Sequence, residues 1–484
     1  MPIIIVVKIG DIERQGFTLT TPQNVQAVSW DSNLIKRHDL AGPRYTSYPT
    51  ALQFNNALNA DAFIQSAKQS LDQTQPLSLY FHIPFCAHVC YYCACNKVIT
   101  RQRERSEPYL QTLYKEMAFM AEHFSKDRQV NQLHWGGGTP TFLNDEQITE
   151  LMRKTRELFN LRGDDQGDYS IEIDPRECSP QTLVNLRKVG FNRISLGVQD
   201  VQHKVQEAVN RIQSTEQTIE LINQAKALGF KSINIDLIYG LPHQTNDSFA
   251  ETLDTVVGMS PDRLSIFNYA HMPDRFRSQR HIKEQDLPSP AQKLAIQQQT
   301  ITKLSEAGYQ YIGMDHFAKP TDELSQAQIT GQLHRNFQGY TTHSDCDLVA
   351  MGVSAISQIG DLYYQNSHDL KTYSDLIEEK QCAIIRGVSL TADDRIRRDL
   401  ITQLICHFSL DIADFERKHE LVFNQYFKDE VTELQRLATD KLLSFDEDKI
   451  QISAAGRILV RRICMVFDAY MDQAKLKQSF SRII

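Results

Sequence analysis

Between Leu79 and Tyr269, apolar β-branched runs alternate with amphipathic stretches, and that alternation leaves the chain few folds to choose from. The runs lie near 79–83, 131–135, 169–173, 193–197, 232–239 and 263–269. Between them, near 106–123, 144–160, 179–189, 215–228 and 246–258, apolar residues recur at helical spacing. Strands joined through helices lie parallel with right-handed crossovers, so six units in a row predict an α/β fold built on one parallel sheet. Six is two short of a closed eightfold barrel. The expectation is therefore an open three-quarter (β/α)6 barrel, with a gap in its wall that would suit a large substrate.

The first run stops at Pro84, and the loop beyond it carries Cys86, Cys90, Cys93 and Cys95, four of nine cysteines. Ligands collect at the carboxyl ends of strands in such folds. Thiolates this close converge on one soft metal centre unless they are oxidised to disulfides. Zinc sites usually add a second, distant Cys or His pair, and no second knuckle is visible. Iron–sulfur clusters are held by closely spaced thiolates, and three in C-x3-C-x2-C leave one iron of a four-iron cluster without a protein ligand. A catalytic metal needs such an open position. A fourth thiolate, Cys95, could instead close the site and make a plain electron-transfer cluster.

The rest of the composition narrows the class. At 484 residues the chain has room for two or three domains, and 41% hydrophobic with 23% charged residues describes an ordinary soluble protein. A formal charge of −8 argues against general nucleic-acid binding. The apolar run Ile3 to Val7 lacks the basic flank and length of a signal peptide, and no stretch approaches a membrane span. Cys178, Cys346, Cys382, Cys406 and Cys464 are scattered, as expected of a reducing, cytoplasmic compartment.

Polar residues at strand ends mark a pocket. Trp135 to Thr141 holds three glycines, which let backbone approach a ligand with its N–H and C=O groups free, although a tight turn explains them equally well in isolation. Glu172 alternates with Ile171 and Ile173 and so faces away from them; a pocket contact is the expectation, an ion pair with a neighbouring strand the plainer one. Gln199, Asp200 and Asp236 end the next two strands in the same way. Arg211 could neutralise a ligand carboxylate, or be an exposed helix arginine. His82 and His88 flank the cysteine loop, where hydrogen-bonded packing is the usual role of a histidine; His82 is taken as a supporting group. His316 and the run His334 to Thr342 are polar and aromatic enough to face a ligand.

Outside the barrel the pattern changes. Residues 1 to about 30 are weakly patterned, and 37–50 combine turn formers with two tyrosines and two arginines, more than a linker requires. The expected division is an arm over 1–55, the barrel over 56–295 and a mainly helical C-terminal domain over 296–484. Its last part, helix 429–442, hairpin 443–453 and helix 454–472, resembles a winged helix with Arg457, Arg461 and Arg462 as a basic face.

The cysteine spacing resembles the radical S-adenosylmethionine (SAM) enzymes. Gly42 to Thr50, Tyr80 with the cysteines, Leu133-His134-Trp135 with its glycines, Asp174 to Glu177, Phe267 to Ala270 and Arg335 to Thr342 narrow this further. Together, from about Trp30 to the C-terminus, they are similar to the oxygen-independent coproporphyrinogen III oxidase (dehydrogenase) family. Ala94 stands where that family has Gly, and Tyr92 where Phe is common, both mild departures.

The resemblance implies one [4Fe-4S] cluster on Cys86, Cys90 and Cys93, and two SAM molecules. It implies Tyr80, Tyr92, Gly137, Glu172 and Ile356 around the first SAM, and Gly138, Thr139, Gln199, Arg211, Asp236 and Ala270 around the second. Cys95 would be needed for activity without binding the cluster, and His82 joins it as a candidate catalytic residue. The implied reaction converts two propionates of coproporphyrinogen III to vinyl groups, giving protoporphyrinogen IX for haem. A 5′-deoxyadenosyl radical drives it, and a low-potential donor such as flavodoxin or ferredoxin supplies electrons. A monomer without nucleic-acid or membrane partners is expected. Arg44 and Arg335 are candidates for the substrate carboxylates. The alternatives are a haem chaperone of the same superfamily, which usually lacks a counterpart of Cys95 and of the arm Arg44 to Thr50, and a redox or nucleic-acid-binding iron–sulfur protein.

Overall fold

The computed structural model describes residues 28–71, 74–163, 165–471 and 482; most of the weakly patterned start lies outside these. Six strands appear where the periodicity puts them: β1 (Leu77–Ile83), β2 (Gln129–Gly137), β3 (Asp168–Ile173), β4 (Arg193–Gln199), β5 (Ser232–Tyr239) and β6 (Arg263–Asn268). They pair in chain order and all in parallel. The helices Ser106–Ala121, Asp145–Leu158, Pro180–Val189, Thr215–Ala227 and Asn246–Met259 follow the first five. Four of these helices begin where a side chain takes up orphan amides: Asn144, Ser179, Ser214 and Thr245 each accept from the N–H three residues on. Each such cap is worth about 1 kcal/mol.

Strand alternation decides which side of the sheet is polar. In β3, Tyr169, Ile171 and Ile173 are buried while Asp168, Ser170 and Glu172 are half-buried. The fully buried set packs with Trp135, Phe191 and Leu196 in the main core. Burying each large apolar side chain contributes about 2–3 kcal/mol. The polar set is left to line the inside of the open barrel.

The sheet continues past residue 295. A hairpin of β7 (Gln310–Gly313) and β8 (His316–Ala318) pairs antiparallel with β6. A separate hairpin follows, β9 (His334–Asn336) and β10 (Gly339–Thr341). On the other edge β11 (Asp347–Met351) lies parallel to β1, followed by β12 (Ile356–Ile359), β13 (Leu362–Asn366) and β14 (Ile384–Ser389), each antiparallel to its neighbour. Much of 310–389 is thus strand in a stretch expected to be mainly helical; pieces of three to six residues are too short to show a period. Helices take over after Thr391, as expected, beginning with Ala392–His407.

The β9–β10 hairpin reaches both ends of the sheet. Phe337 packs against Tyr363 of β13 and Phe54, while Tyr340 packs against His316 of β8. The arm also packs down: Tyr45 and Tyr48 are buried, Tyr45 Oη donates to Asp468, and Tyr48 Oη accepts from the Ala469 N–H.

The winged-helix expectation needs correction. Helix Lys428–Thr439 and strands β16 (Leu443–Phe445) and β17 (Lys449–Ile452) are present, and β15 (Ser409–Asp411) adds a third strand beside β17. The expected helix 454–472 shrinks to Val460–Cys464 and one 3-10 turn, Met465–Phe467; its last residue lies outside the described residues. Gly456 passes so close to Leu442 that a Cβ there would meet its carbonyl oxygen at 1.9 Å, and the chain turns there instead of coiling. Nor do the three arginines make a basic face: Arg457 lies buried over the Phe408 ring, Arg461 is buried and donates to the Gly42 and Pro43 carbonyls, and Arg462 pairs with Glu433.

Candidate active site

A cavity of about 450 Å³ lies inside the sheet, with the cysteine loop on one side and the β9–β10 hairpin on the other. Phe85–Cys86 pairs with Val98–Ile99, so the chain leaves β1, loops out and returns within 14 residues. The Cys93 N–H bonds to the Cys90 carbonyl, the Tyr91 N–H bonds to the Val209 carbonyl, and Lys97 Nζ donates to the Cys93 carbonyl at 2.8 Å. All nine cysteines are free, and Cys86, Cys90, Cys93 and Cys95 all line the cavity.

The surroundings differ from thiol to thiol. Arg211 Nη1 and Arg176 Nη2 donate to Cys90 Sγ at 3.3 and 3.5 Å. A hydrogen bond from Cys95, with Lys97 nearby, lowers the Cys93 thiol to about 6, whereas the same bond holds the proton on Cys95. Burial pushes Cys86 up to about 12, opposed by Thr139, whose Oγ1 is 3.7 Å from Cys86 Sγ. Converging sulfurs with cations beside them match the donor set of a cluster whose charge is negative.

Arg211 is not an exposed helix residue. It is buried, donates to Asp174 Oδ2 at 2.9 Å and to the Gly197 carbonyl at 2.5 Å, and shares Asp174 with Arg176. The two arginines outweigh the burial of Asp174 and hold its carboxyl at about 2.

The glycine segment works differently from the expectation. Gly137 N–H bonds Glu172 Oε2, Gly138 N–H the Ile83 carbonyl and Thr139 N–H the Phe85 carbonyl, so these three amides are already used. What the segment needs is space: at Gly137, φ is +112° and a Cβ would come within 2.6 Å of the His82 ring, and at Gly138 it would meet the Pro84 and Phe85 backbone.

Glu172 faces the cavity, as its alternation predicts, and its Oε1 lies 3.1 Å from His134 Nε2. Burial works against its charge, but His134 and the Gly137 N–H hold the carboxyl below its usual range. Asp236 accepts from Ser195 Oγ at 2.9 Å and Asn234 Nδ2 at 2.8 Å; burial, then Glu172, raises it to about 6. Tyr92, Gln199, Gly137, Gly138 and Thr139 also line the cavity. Tyr80 stacks on His134 behind the wall. Ala270 and Ile356 are outside the lining, Ile356 packing against Phe54, Tyr363 and Leu390.

His82 is a buttress. Its Nδ1 meets Tyr80 Oη at 3.1 Å and its Nε2 the Asn96 carbonyl at 3.0 Å, and burial lowers its pKa. Both nitrogens are engaged and the ring is outside the cavity lining, which does not suit a catalytic assignment. His134, Ser195, Asn234 and Arg176 were not singled out for roles in the sequence. His134 alternates with Leu133 and Trp135, the same signal that marked Glu172. On the hairpin side, His316, Gln338, Tyr340 and Thr341 line the cavity. Arg44 donates to Asp315, and Arg335 lies buried over the Tyr340 ring.

The radical SAM superfamily matches residues 80–256, and the HemN C-terminal domain matches 390–459. The oxygen-independent coproporphyrinogen III oxidase of Pseudomonas aeruginosa is 54% identical over 460 residues, 95% of this chain and 100% of that one. The protein of the same name from Escherichia coli is 53% identical over 461 residues, again 95% and 100%. The solved structure of the Escherichia coli coproporphyrinogen III oxidase, described as a radical SAM enzyme, superposes with a TM-score of 0.88 at 52% identity, covering 92% of this chain and 100% of that one. Fold, cavity and near-complete coverage agree that the chain belongs to the oxygen-independent coproporphyrinogen III oxidase family of radical SAM enzymes.

Proposed function

We propose that the chain catalyses the oxidative decarboxylation of two propionate side chains of coproporphyrinogen III, without oxygen, to give protoporphyrinogen IX in haem biosynthesis. The observation that carries this is the meeting of Cys86, Cys90 and Cys93 on one cavity, in a chain 54% identical over 95% of its length to an oxidase of that name. Cys86, Cys90 and Cys93 would hold a [4Fe-4S] cluster, with Tyr80, Tyr92, Gly137, Glu172 and Ile356 around one SAM molecule. A second SAM would meet Gly138, Thr139, Gln199, Arg211, Asp236 and Ala270. Bound together, cluster and SAM supply a 5′-deoxyadenosyl radical able to take a hydrogen atom from a propionate β-carbon.

The protein's own residues prepare the ground. Arg211 and Arg176 place positive charge against Cys90 and offset the negative charge of a thiolate cluster. Glu172, charged and fixed by His134 and the Gly137 amide, can accept from an ammonium group. Asp236, held by Ser195 and Asn234, offers a second acceptor. Ile173, Ile194, Ile238 and Phe267 interrupt these polar groups along the lining and limit water near a reactive carbon. For each vinyl group formed, the substrate loses one hydrogen atom, one carbon dioxide and one electron. The electron would go to an external acceptor, and the cluster would need a low-potential donor such as flavodoxin or ferredoxin. Cys95, which lines the same cavity, would take part in the reaction without binding the cluster. A cytoplasmic monomer completes the reading; the nine free thiols support a reducing compartment, and no described helix is long and apolar enough to cross a membrane.

The test is anaerobic incubation of the reconstituted protein with SAM, a reductant and coproporphyrinogen III. Divinyl product, carbon dioxide and 5′-deoxyadenosine should appear together. Haem retained on the protein with no vinyl product would point to the chaperone instead.

A further inference from the structure

Behind the hairpin side of the cavity lies a cation without a counter-charge. Arg335, on β9, is only 8% exposed, and its Nε and Nη1 find no hydrogen-bond partner among the described residues. Its guanidinium sits 4.6 Å from the centroid of the Tyr340 ring, and Tyr340 is part of the cavity wall. Two wall residues beside it share the defect: His316 Nδ1 and Gln338 Nε2 also lack partners. The acid near them, Asp315, is taken by Arg44. Burial, reinforced by Arg335, lowers His316 to about 3, so its ring is neutral and cannot be mistaken for the charge at this place.

Other buried arginines of the barrel are paired. Arg211 has Asp174, Arg263 has Asp322 and Arg128 has Asp347. A buried charge without a partner is strongly unfavourable, and an anion entering beside Tyr340 would relieve it. The Nε and Nη1 N–H groups point to different edges of the guanidinium, so a carboxylate oxygen can take one of them, and a carboxamide can add a second donor.

We propose that Arg335, with Gln338 and His316, binds a propionate carboxylate of the tetrapyrrole, one that is retained in the product. Pairing with Arg335 stabilises that carboxylate as an anion and opposes its loss as carbon dioxide. It also holds the macrocycle so that a different propionate is turned toward the cysteine loop. This rests on the substrate class proposed above.

The reconstituted holoenzyme is compared with Arg335→Gln and Arg335→Lys. The readouts are steady-state kinetics on coproporphyrinogen III and fluorescence-monitored binding of coproporphyrin III against its tetramethyl ester. Arg335→Gln should raise KM by roughly 30-fold or more while kcat changes far less, and should abolish the preference for the acid over the ester. Arg335→Lys should recover part of that preference. Wild-type KM and wild-type acid preference in Arg335→Gln would overturn the proposal. Should that variant not fold, equal binding of acid and ester by the wild type overturns it just as well. A wild-type protein that binds the acid preferentially yet forms no vinyl product would sink the function and leave this subsite standing.

Discussion

On the cysteine-loop side of the cavity, Arg211 and Arg176 share Asp174 and lean on Cys90, and Glu172 has both His134 and an amide. On the hairpin side, Arg335, Gln338 and His316 keep donors or ring nitrogens with no partner. The contrast separates two ways of binding. Groups that must hold one geometry for a reactive cofactor are locked by internal pairs before anything arrives. Groups that await a flexible, multiply charged substrate are left unpaired, and the ligand completes them.

The most severe break of this contrast is at the thiolates. Replacing Cys93 by alanine should abolish both iron binding and vinyl formation, whereas Cys95→Ala should retain iron and a SAM-sensitive paramagnetic spectrum while losing decarboxylation. Iron analysis with spectroscopy separates the two. Next comes the paired side itself. Asp174→Asn leaves Arg211 buried without its anion and should cost about 3–5 kcal/mol in urea unfolding, with a smaller further loss on adding Arg211→Met.

Asp236 tests whether the locked side carries strain of its own. Its carboxyl is raised from 3.8 to about 6 in the fold. Between those values the folded state binds the proton and the unfolded state does not, so stability falls as pH rises through the window and the penalty is complete above it. Asp236→Asn should therefore stabilise the cofactor-free protein by about 2–3 kcal/mol at pH 7 and by little below pH 4. A pH-independent difference in melting would contradict the cause assigned here. The smallest effect belongs to the unpaired side: Arg335→Gln should leave unfolding free energy within about 1 kcal/mol of wild type or raise it, because no internal pair is lost. A loss as large as that of Asp174→Asn would erase the contrast.

Much of this was legible in the residues. The six strands and five helices fall within about three residues of where the periodicity puts them, because long buried strands and capped helices write their period locally. Glu172 and Asp236 were found because a polar residue broke a β-branched run. The strands between 310 and 389 escaped because they are short and held by neighbours far off in the chain, as β11 is by β1. The last helix is shorter than its pattern because Gly456 packs against Leu442, a contact no helical pattern reveals. The glycine segment was read as open backbone, yet its amides close on Ile83, Phe85 and Glu172.

What the sequence determined by itself was a parallel αβ sheet and a thiolate loop at its mouth, since period and spacing are properties of neighbouring residues. Only the tertiary structure decided which charges find partners. Arg211 meets Asp174 across 37 residues and Cys90 across 121, while Arg335 pairs with no acid among the described residues. Electrostatic pairing depends on distance in space and on exclusion of water, and neither is written in the order of the chain.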